Sequence, residues 1–229
     1  MHHRYDYILN NFINKACLNN VLSIISEYDN LDIYIAGGCI RDLIINEHRK
    51  IHDFDLFING SELLIEKFLA RLCSVGKLTN GPFGAPRLYF KDTIYWDIVP
   101  FYKFVVSNHE IRDINDLLMN FDFTANAIAL DIKTRNLINP LNGIKDIESK
   151  ILRATHFNFP EKNVSDNIKL STLSVFWFRL VHYQSYLNFK FDNRTMDWII
   201  LNKYRINDIE LFKKHFFVPK ISREIKNLL

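Results

Sequence analysis

Residues 34–45, YIAGGCIRDLII, followed after a short polar stretch by HDFDLFI at 52–58, decide how this chain folds. IYIAG is a short apolar run rich in β-branched residues and reads as a buried strand, whereas CIRDLII looks helical. Gly37 and Gly38 stand between them. Glycines there let the chain turn sharply, and the free N–H groups of the helix start favour an anion such as phosphate. Arg41, one turn into the helix, adds a bidentate donor suited to phosphate oxygens. In DFDLFI the strand period of two puts Asp53 and Asp55 on one face while Phe54 and Leu56 face the core. Two adjacent carboxylates repel unless a cation is present, and oxygen donors of this kind suit Mg2+. Each feature also has a plain reading, since a Gly-Gly turn is often only a turn and acidic pairs arise by chance.

The next anomaly is Asp97 in IYWDIV. Asp is depleted in strands and costly to bury unpaired. If its strand lies beside the one carrying Asp53 and Asp55, three carboxylates converge into a set suited to two-metal phosphoryl or nucleotidyl transfer. The alternative pairs Asp97 with a Lys or Arg near the surface.

Outward from these segments, residues 6–28 place apolar side chains at helical spacing ahead of the first strand. Ser61 is a plausible N-cap for a helix reaching about residue 73. Residues 75–99 form a meander: a strand near 75–78, the turn NGPFGAP, then RLYFKD and TIYWDIV with a tight hairpin at Lys91-Asp92. A helix near 113–120, an AIALDI strand, a second short strand in NLINPLNG and a GIKDIESK helix complete a mixed α/β unit over 1–155. From 156 to 229 the pattern is all-helical. An amphipathic helix covers 166–187, and short helices follow, with Pro219 placed to open the last.

The 229 residues, 48% hydrophobic and 14% aromatic, supply an ordinary core and exclude disorder and collagen-like repeats. Cys17, Cys39 and Cys73 lack CxxC spacing, which points to a reducing compartment and, by default, the cytoplasm. No run has the length of a membrane span, and MHHRYDY lacks the apolar stretch of a signal peptide. Net charge is +3, with nine Lys/Arg against five Asp/Glu from Lys190 onward, a mildly basic end that reads first as a solvated helical surface. His48 and His52 have i,i+4 spacing but no second ligand pair at a zinc-like distance. Phe176, Trp177 and Phe178 could stack bases but read as core.

YIAGGCIRDLII with HDFDLFI resembles the signature of the tRNA CCA-adding and bacterial poly(A) polymerase family of nucleotidyltransferases, in the DNA polymerase β superfamily. DFTANAIALD and LINPLNGIKDIESKILRA resemble that family's second and third motifs, and all four segments, within 33–153, stand in its order. The resemblance implies an α+β fold, a polymerase-β-like head followed by a small helical, neck-like domain. It implies Mg2+-dependent transfer (two ions) of a nucleoside monophosphate from an NTP to a hydroxyl, with pyrophosphate released. The acceptor it implies first is an RNA 3′ end such as tRNA; a protein or small-molecule acceptor comes next, and a non-catalytic nucleotide- or RNA-binding module is the competing class. By resemblance Asp53 and Asp55 are the metal-binding pair and Asp97 the third carboxylate. Gly37, Gly38 and Arg41 hold the triphosphate, Asp42 supports Arg41 or the sugar site, and Asp122 and Asn126 lie near the nucleotide.

The departures are specific. The family's two arginines before DFT are Asn120 and Phe121 here, with Arg87 and Arg112 as candidates to replace the lost cation. Of the arginines on the family's base-reading helix, the last falls on Arg179, while Leu173 and Phe176 occupy the places of the earlier two. Polar groups discriminate bases strongly only when present, so this template for choosing C and then A is missing. The match covers the family's head and neck but little of its body and tail. With a charge of only +3, that counts against a broad RNA-binding surface.

Overall fold

The computed structural model describes residues 5, 19–51, 53–81, 85–90, 94–104 and 111–228. The deciding stretch folds as its pattern dictates: strand β1 (Asp32–Ala36) runs through Gly37 into helix α2 (Gly38–Ile45), and strand β2 (Asp53–Asn59) returns antiparallel to β1. Helix α1 (Asn19–Ile25) precedes them, and of the helix expected over 6–28, residues 6–18 lie outside the described residues. Helix α3 (Glu62–Leu72) follows β2 with Ser61 at its N-cap, as expected, although the Ser61 side chain makes no capping hydrogen bond.

The meander appears as β3 (Lys77–Asn80), β4 (Pro86–Phe90) and β5 (Ile94–Pro100); Lys91 and Asp92 lie outside the described residues. Helix α4 (Ile114–Met119) is capped by Asp113, whose carboxylate accepts the N–H groups of Asn115 and Asp116. Strands β6 (Ala129–Asp131) and β7 (Leu137–Ile138), helix α5 (Gly143–Glu148) and strand β8 (Ile151–Leu152) follow. One sheet of seven strands takes the order β3-β4-β5-β2-β1-β6-β7, every pair antiparallel except β2 with β5.

After residue 155 the chain is mostly helical, with α6 (Thr172–Leu187), α7 (Asn193–Leu201), α8 (Ile209–His215) and α9 (Arg223–Lys226). Two details differ from the helical pattern. Residues ahead of α6 form a hairpin, β9 (Asn163–Ser165) with β10 (Ile168–Ser171), so α6 starts six residues later than its periodicity suggests. Strand β11 (Lys190–Phe191) also pairs in parallel with β8, stitching this part to the preceding unit. The last helix is opened by Ser222, whose hydroxyl accepts the Ile225 N–H, and Pro219 lies upstream of it.

Alternation in β2 divides the sheet into two working faces. Phe54, Leu56 and Ile58 enter a large core that continues through Trp177, Phe178 and Leu180 of α6 to Ile225. On the other face Phe57 packs edge-on against Phe104 and tilted against Phe121, in a smaller core with Ala36, Phe101 and Leu117. That second core closes the face at Phe57. Asp53 and Asp55, on the same face, remain exposed.

Candidate active site

The register of the parallel pair fixes the site. Asp55 is the Cα partner of Asp97, and Asp53 that of Tyr95, so carboxylates from two strands distant in sequence stand side by side. On the opposite flank Ala36 pairs with Asp55, which brings the Gly37 turn against it. Gly37 adopts φ 87°, and a side chain there would lie 3.5 Å from Asp55 Oδ2 and equally close to the Phe121 ring. The positive φ is what favours glycine here, since the 3.5 Å contacts are ordinary van der Waals distances. No side chain caps the start of α2, so its first amides keep their anion-attracting character next to the carboxylates.

The three carboxylates are not equivalent. Among the described residues no hydrogen bond or ion pair engages the carboxylates of Asp53 and Asp55. Asp55 keeps water access but is ringed by protein atoms. Desolvation first, then the charges of Asp97 and Asp53, raise its pKa from 3.8 to about 7, against the opposing pull of Arg179 and Arg87. Asp97 is closed by Arg87, its register partner on β4: Nε donates to Oδ1 at 2.5 Å and Nη2 to Oδ2 at 2.6 Å. Asp97 thus lies beside the acidic pair in register, and its carboxylate is paired with an arginine, the alternative reading of this residue. Among the described residues no group of three His, Cys, Asp or Glu side chains is placed to hold a metal ion. The donors that fit a hard cation are the two open, oxygen-only carboxylates, with Asp97 available only if Arg87 moves.

Arg41, Asp42, Asn126 and Asp122 form one connected network. Arg41 is 3% exposed. It donates from Nε to Asp42 Oδ1 at 2.8 Å and from Nη1 to Asn126 Oδ1 at 2.6 Å. Asn126 donates to Asp122 Oδ1 at 3.0 Å, and Asp122 Oδ2 accepts Arg179 Nε at 2.8 Å. Asp42 is also reached by Arg49 at 3.3 Å. Tyr183 of α6 lies beneath two guanidiniums, Arg41 at 4.9 Å and Arg179 at 5.4 Å. Arg49 carries no local signal, and Tyr183 reads in the sequence only as one position of the amphipathic helix face, because their partners come from distant segments.

Of the candidates to replace the missing arginines, Arg112 is 75% exposed and paired with Asp116 at 3.1 Å. It borders a groove of about 560 Å³ beside Asn120, His156 and Asn158 that includes none of the three carboxylates. Phe176, Trp177 and Phe178 are buried, as their helical spacing implied. His48 pairs with Glu47 at 3.6 Å, and His52 lies outside the described residues. No helix among the described residues is long and apolar enough to cross a membrane.

His182, on the same helix as Arg179, carries a pH signature. Its Nδ1 accepts the Lys220 N–H at 3.0 Å, so the ring is held neutral. Burial first, then Lys220, Arg179 and Arg41, lower its pKa from 6.5 to about 4. The unfolded chain therefore binds a proton that the folded protein refuses between those values. The stability this ring contributes is complete above pH 6.5 and is lost as pH falls toward 4. His182→Asn keeps an acceptor but cannot titrate. Its loss of stability between pH 7.5 and 5 is expected to be smaller than the wild type's by about 1 kcal/mol, roughly 2–4 °C in a melt. Parallel melting profiles across that range would sink this assignment.

Comparison with known proteins places this geometry in context. The family described as the poly(A) polymerase head domain matches residues 33–153. A CCA-adding enzyme of Staphylococcus epidermidis (strain ATCC 12228 / FDA PCI 1200) is 28% identical over 204 residues, covering 86% of this chain and 45% of its own length. A CCA-adding enzyme solved with CTP has a similar fold, with TM-score 0.65 and 19% identity over 93% of this chain and 51% of its own. The Thermotoga maritima CCA-adding enzyme solved with tRNA has TM-score 0.65 and 18% identity over 91% and 49%. The chain spans about half the length of the curated relatives it matches.

Proposed function

This chain belongs to the poly(A) polymerase head domain family, and from that premise we propose that it transfers a nucleoside monophosphate from an NTP to the 3′ hydroxyl of an RNA, tRNA first. The observation that carries the proposal is the placement of Asp53 and Asp55, open and with no hydrogen bond or ion pair among the described residues, beside Asp97 in register and against the uncapped start of α2. In the reaction the acceptor hydroxyl gives up its proton to water as its oxygen bonds to the α-phosphorus, the bond from that phosphorus to the bridging oxygen breaks, and pyrophosphate leaves with the electron pair. Asp53, Asp55 and, once released from Arg87, Asp97 would hold divalent cations, two Mg2+, which supply Lewis-acid stabilisation of the phosphate charge.

The protein's own groups do the rest. The Gly37-Gly38 turn admits the triphosphate close to the backbone, and the amides at the start of α2 face its charge. Arg41, expected to hold the triphosphate with the two glycines, is instead buried with its fork on Asp42 and Asn126, so with Asp42 it fixes that turn from behind. Asp122 and Asn126 line the nucleotide side and tie it to Arg179. Positions 173 and 176 of α6 carry Leu and Phe, so hydrogen bonding to base edges from those positions is lacking, and base choice rests on other groups. The units 1–155 and 156–229 act as head and neck. The named relatives, as CCA-adding enzymes, support a tRNA acceptor and lend nothing to a protein or small-molecule one.

The test incubates the purified chain with Mg2+ and each labelled NTP in turn, against total RNA and total protein, beside an Asp53→Ala, Asp55→Ala variant. Label is expected on RNA and absent with the variant. Transfer that survives the double substitution, or no transfer with any NTP, overturns the enzyme. Label on protein alone removes the tRNA assignment and leaves the chemistry.

A further inference from the structure

Arg87 occupies a position that the transfer reaction as described does not explain. Alternation along the strands sets Arg87 and Tyr89 of β4, Tyr95 and Asp97 of β5, and Asp53 and Asp55 of β2 on one face. The guanidinium carbon lies 4.0 Å from the centre of the Tyr95 ring, and Nε and Nη2 donate to the two Asp97 oxygens. The pair is semi-enclosed, with side-chain exposures of 15% for Arg87 and 23% for Asp97. Gly81 covers it so closely that a side chain there would come within 3.2 Å of Asp97 Oδ1. This is a built contact, held by the Tyr95 ring, the strand register and the close approach of Gly81.

Its effect is to withdraw one of the three acidic side chains. With both Asp97 oxygens taken, Asp53 and Asp55 are left as the open donors of this face. With Arg87 gone and no cation present, three carboxylates would face each other uncompensated, which like-charge repulsion opposes. Arg87 therefore acts as their counter-ion. Its planar fork matches the oxygens of a phosphate as well as those of a carboxylate. The neighbouring segment supplies no cation at Asn120 or Phe121, and Arg112 is engaged elsewhere.

We propose that Arg87 is an exchangeable clamp. It closes Asp97 while the site is empty, and an entering nucleoside triphosphate draws the guanidinium onto its phosphates, which releases Asp97 to a divalent cation. Arg87 is in this sense a positioning residue that couples the two ligands. The proposal rests on the function proposed above and adds to it an order: cation affinity is low until a triphosphate is present. Linkage makes the coupling reciprocal, so the cation raises triphosphate affinity by the same factor.

The test needs no turnover. Mn2+ binding to the full chain is followed by loss of its free-ion magnetic resonance signal, with and without the α,β-methylene analogues of ATP and CTP. After subtraction of the Mn2+ held by analogue alone in protein-free controls, the wild type is expected to bind Mn2+ about tenfold more tightly with an analogue than without. Arg87→Met is expected to bind more tightly than the wild type in the absence of analogue and to keep less than a twofold gain from it, about the limit of detection. Arg87→Lys retains charge without the fork and should fall between them; it serves as the reporter if the Met variant melts early. A Met variant that keeps the full wild-type coupling overturns the clamp while leaving the proposed function standing. Folded wild type that takes up no Mn2+ even with an analogue overturns both.

Discussion

Asp55→Asn is expected to raise the melting temperature of the metal-free protein and to abolish nucleotide transfer. The Asp55 carboxyl is pushed up from 3.8 to about 7, by desolvation first and then by Asp97 and Asp53. A raised carboxyl pKa means that the folded protein holds a proton that the unfolded chain has released. The stability associated with Asp55 is therefore present below about pH 4 and is lost as pH rises through about 7. Above that pH the ionised group is a burden on the fold, which an amide removes. Because the side chain keeps water access, the gain is discounted to about 1 kcal/mol, or roughly 2–4 °C. In the proposed reaction the same carboxylate holds a cation worth several kcal/mol of transition-state stabilisation, so transfer should fall by about a thousandfold. Melts in EDTA at pH 8 and pH 5, beside a transfer assay, check both halves. The stability gain should appear at pH 8 and shrink at pH 5. A variant less stable than wild type at pH 8, or one transferring within tenfold of it, contradicts the role given to Asp55.

The opposing signs follow from one arrangement, and its parts were unequally legible in the sequence. The β1–Gly37–α2–β2 unit could be read because each element carries its own local pattern: β-branched strands, a glycine turn, helical spacing and the two-residue alternation of DFD. The neighbourhood of Asp97 could not be read in the same way. Its partner strands β2 and β4 are joined to β5 by different kinds of connection, and only the register brings Asp55 and Arg87 to either side of it. The sequence offered an arginine partner for Asp97 and, separately, Arg87 as a substitute for a missing cation. The structure merges these into a single contact. The β9–β10 hairpin and the β8–β11 pair were missed because strands of two to four residues carry too few alternating positions to display a period. The tie from Asp122 to Arg179 spans 57 positions, beyond the reach of any local pattern.

Arg41→Lys tests whether that long-range network holds the site together. A lysine keeps the charge, so a role limited to net electrostatics would survive the change. Arg41, however, spends its whole fork: Nε and Nη2 reach Asp42 at 2.8 and 2.7 Å, and Nη1 reaches Asn126 at 2.6 Å. Its guanidinium carbon lies over the Tyr183 ring, 4.9 Å from the centre. A single ammonium cannot satisfy Asp42 and Asn126 from a side chain 3% exposed, and it loses the stacking on Tyr183. Leaving one of these partners unpaired in a buried setting costs about 3 kcal/mol, which corresponds to a fall of roughly 6–12 °C in melting temperature. Arg49→Lys is the control. Arg49 reaches the same Asp42 from a more exposed position, and its replacement is expected to cost less than about 1 kcal/mol. Asn126→Asp separates the two ends of the chain of contacts, because it retains an acceptor for Arg41 while setting a carboxylate against Asp122. Destabilisation by Asn126→Asp despite its intact acceptor would show that the network is held by the alternation of donors and acceptors from Arg41 through Asn126 to Asp122. An Arg41→Lys protein as stable as wild type would instead make Arg41 a charge and nothing more. In the proposed reaction the KM for NTP should rise in step with the loss of stability across the three variants, because the contacts that fix the Gly37-Gly38 turn from behind are those that join it to α6.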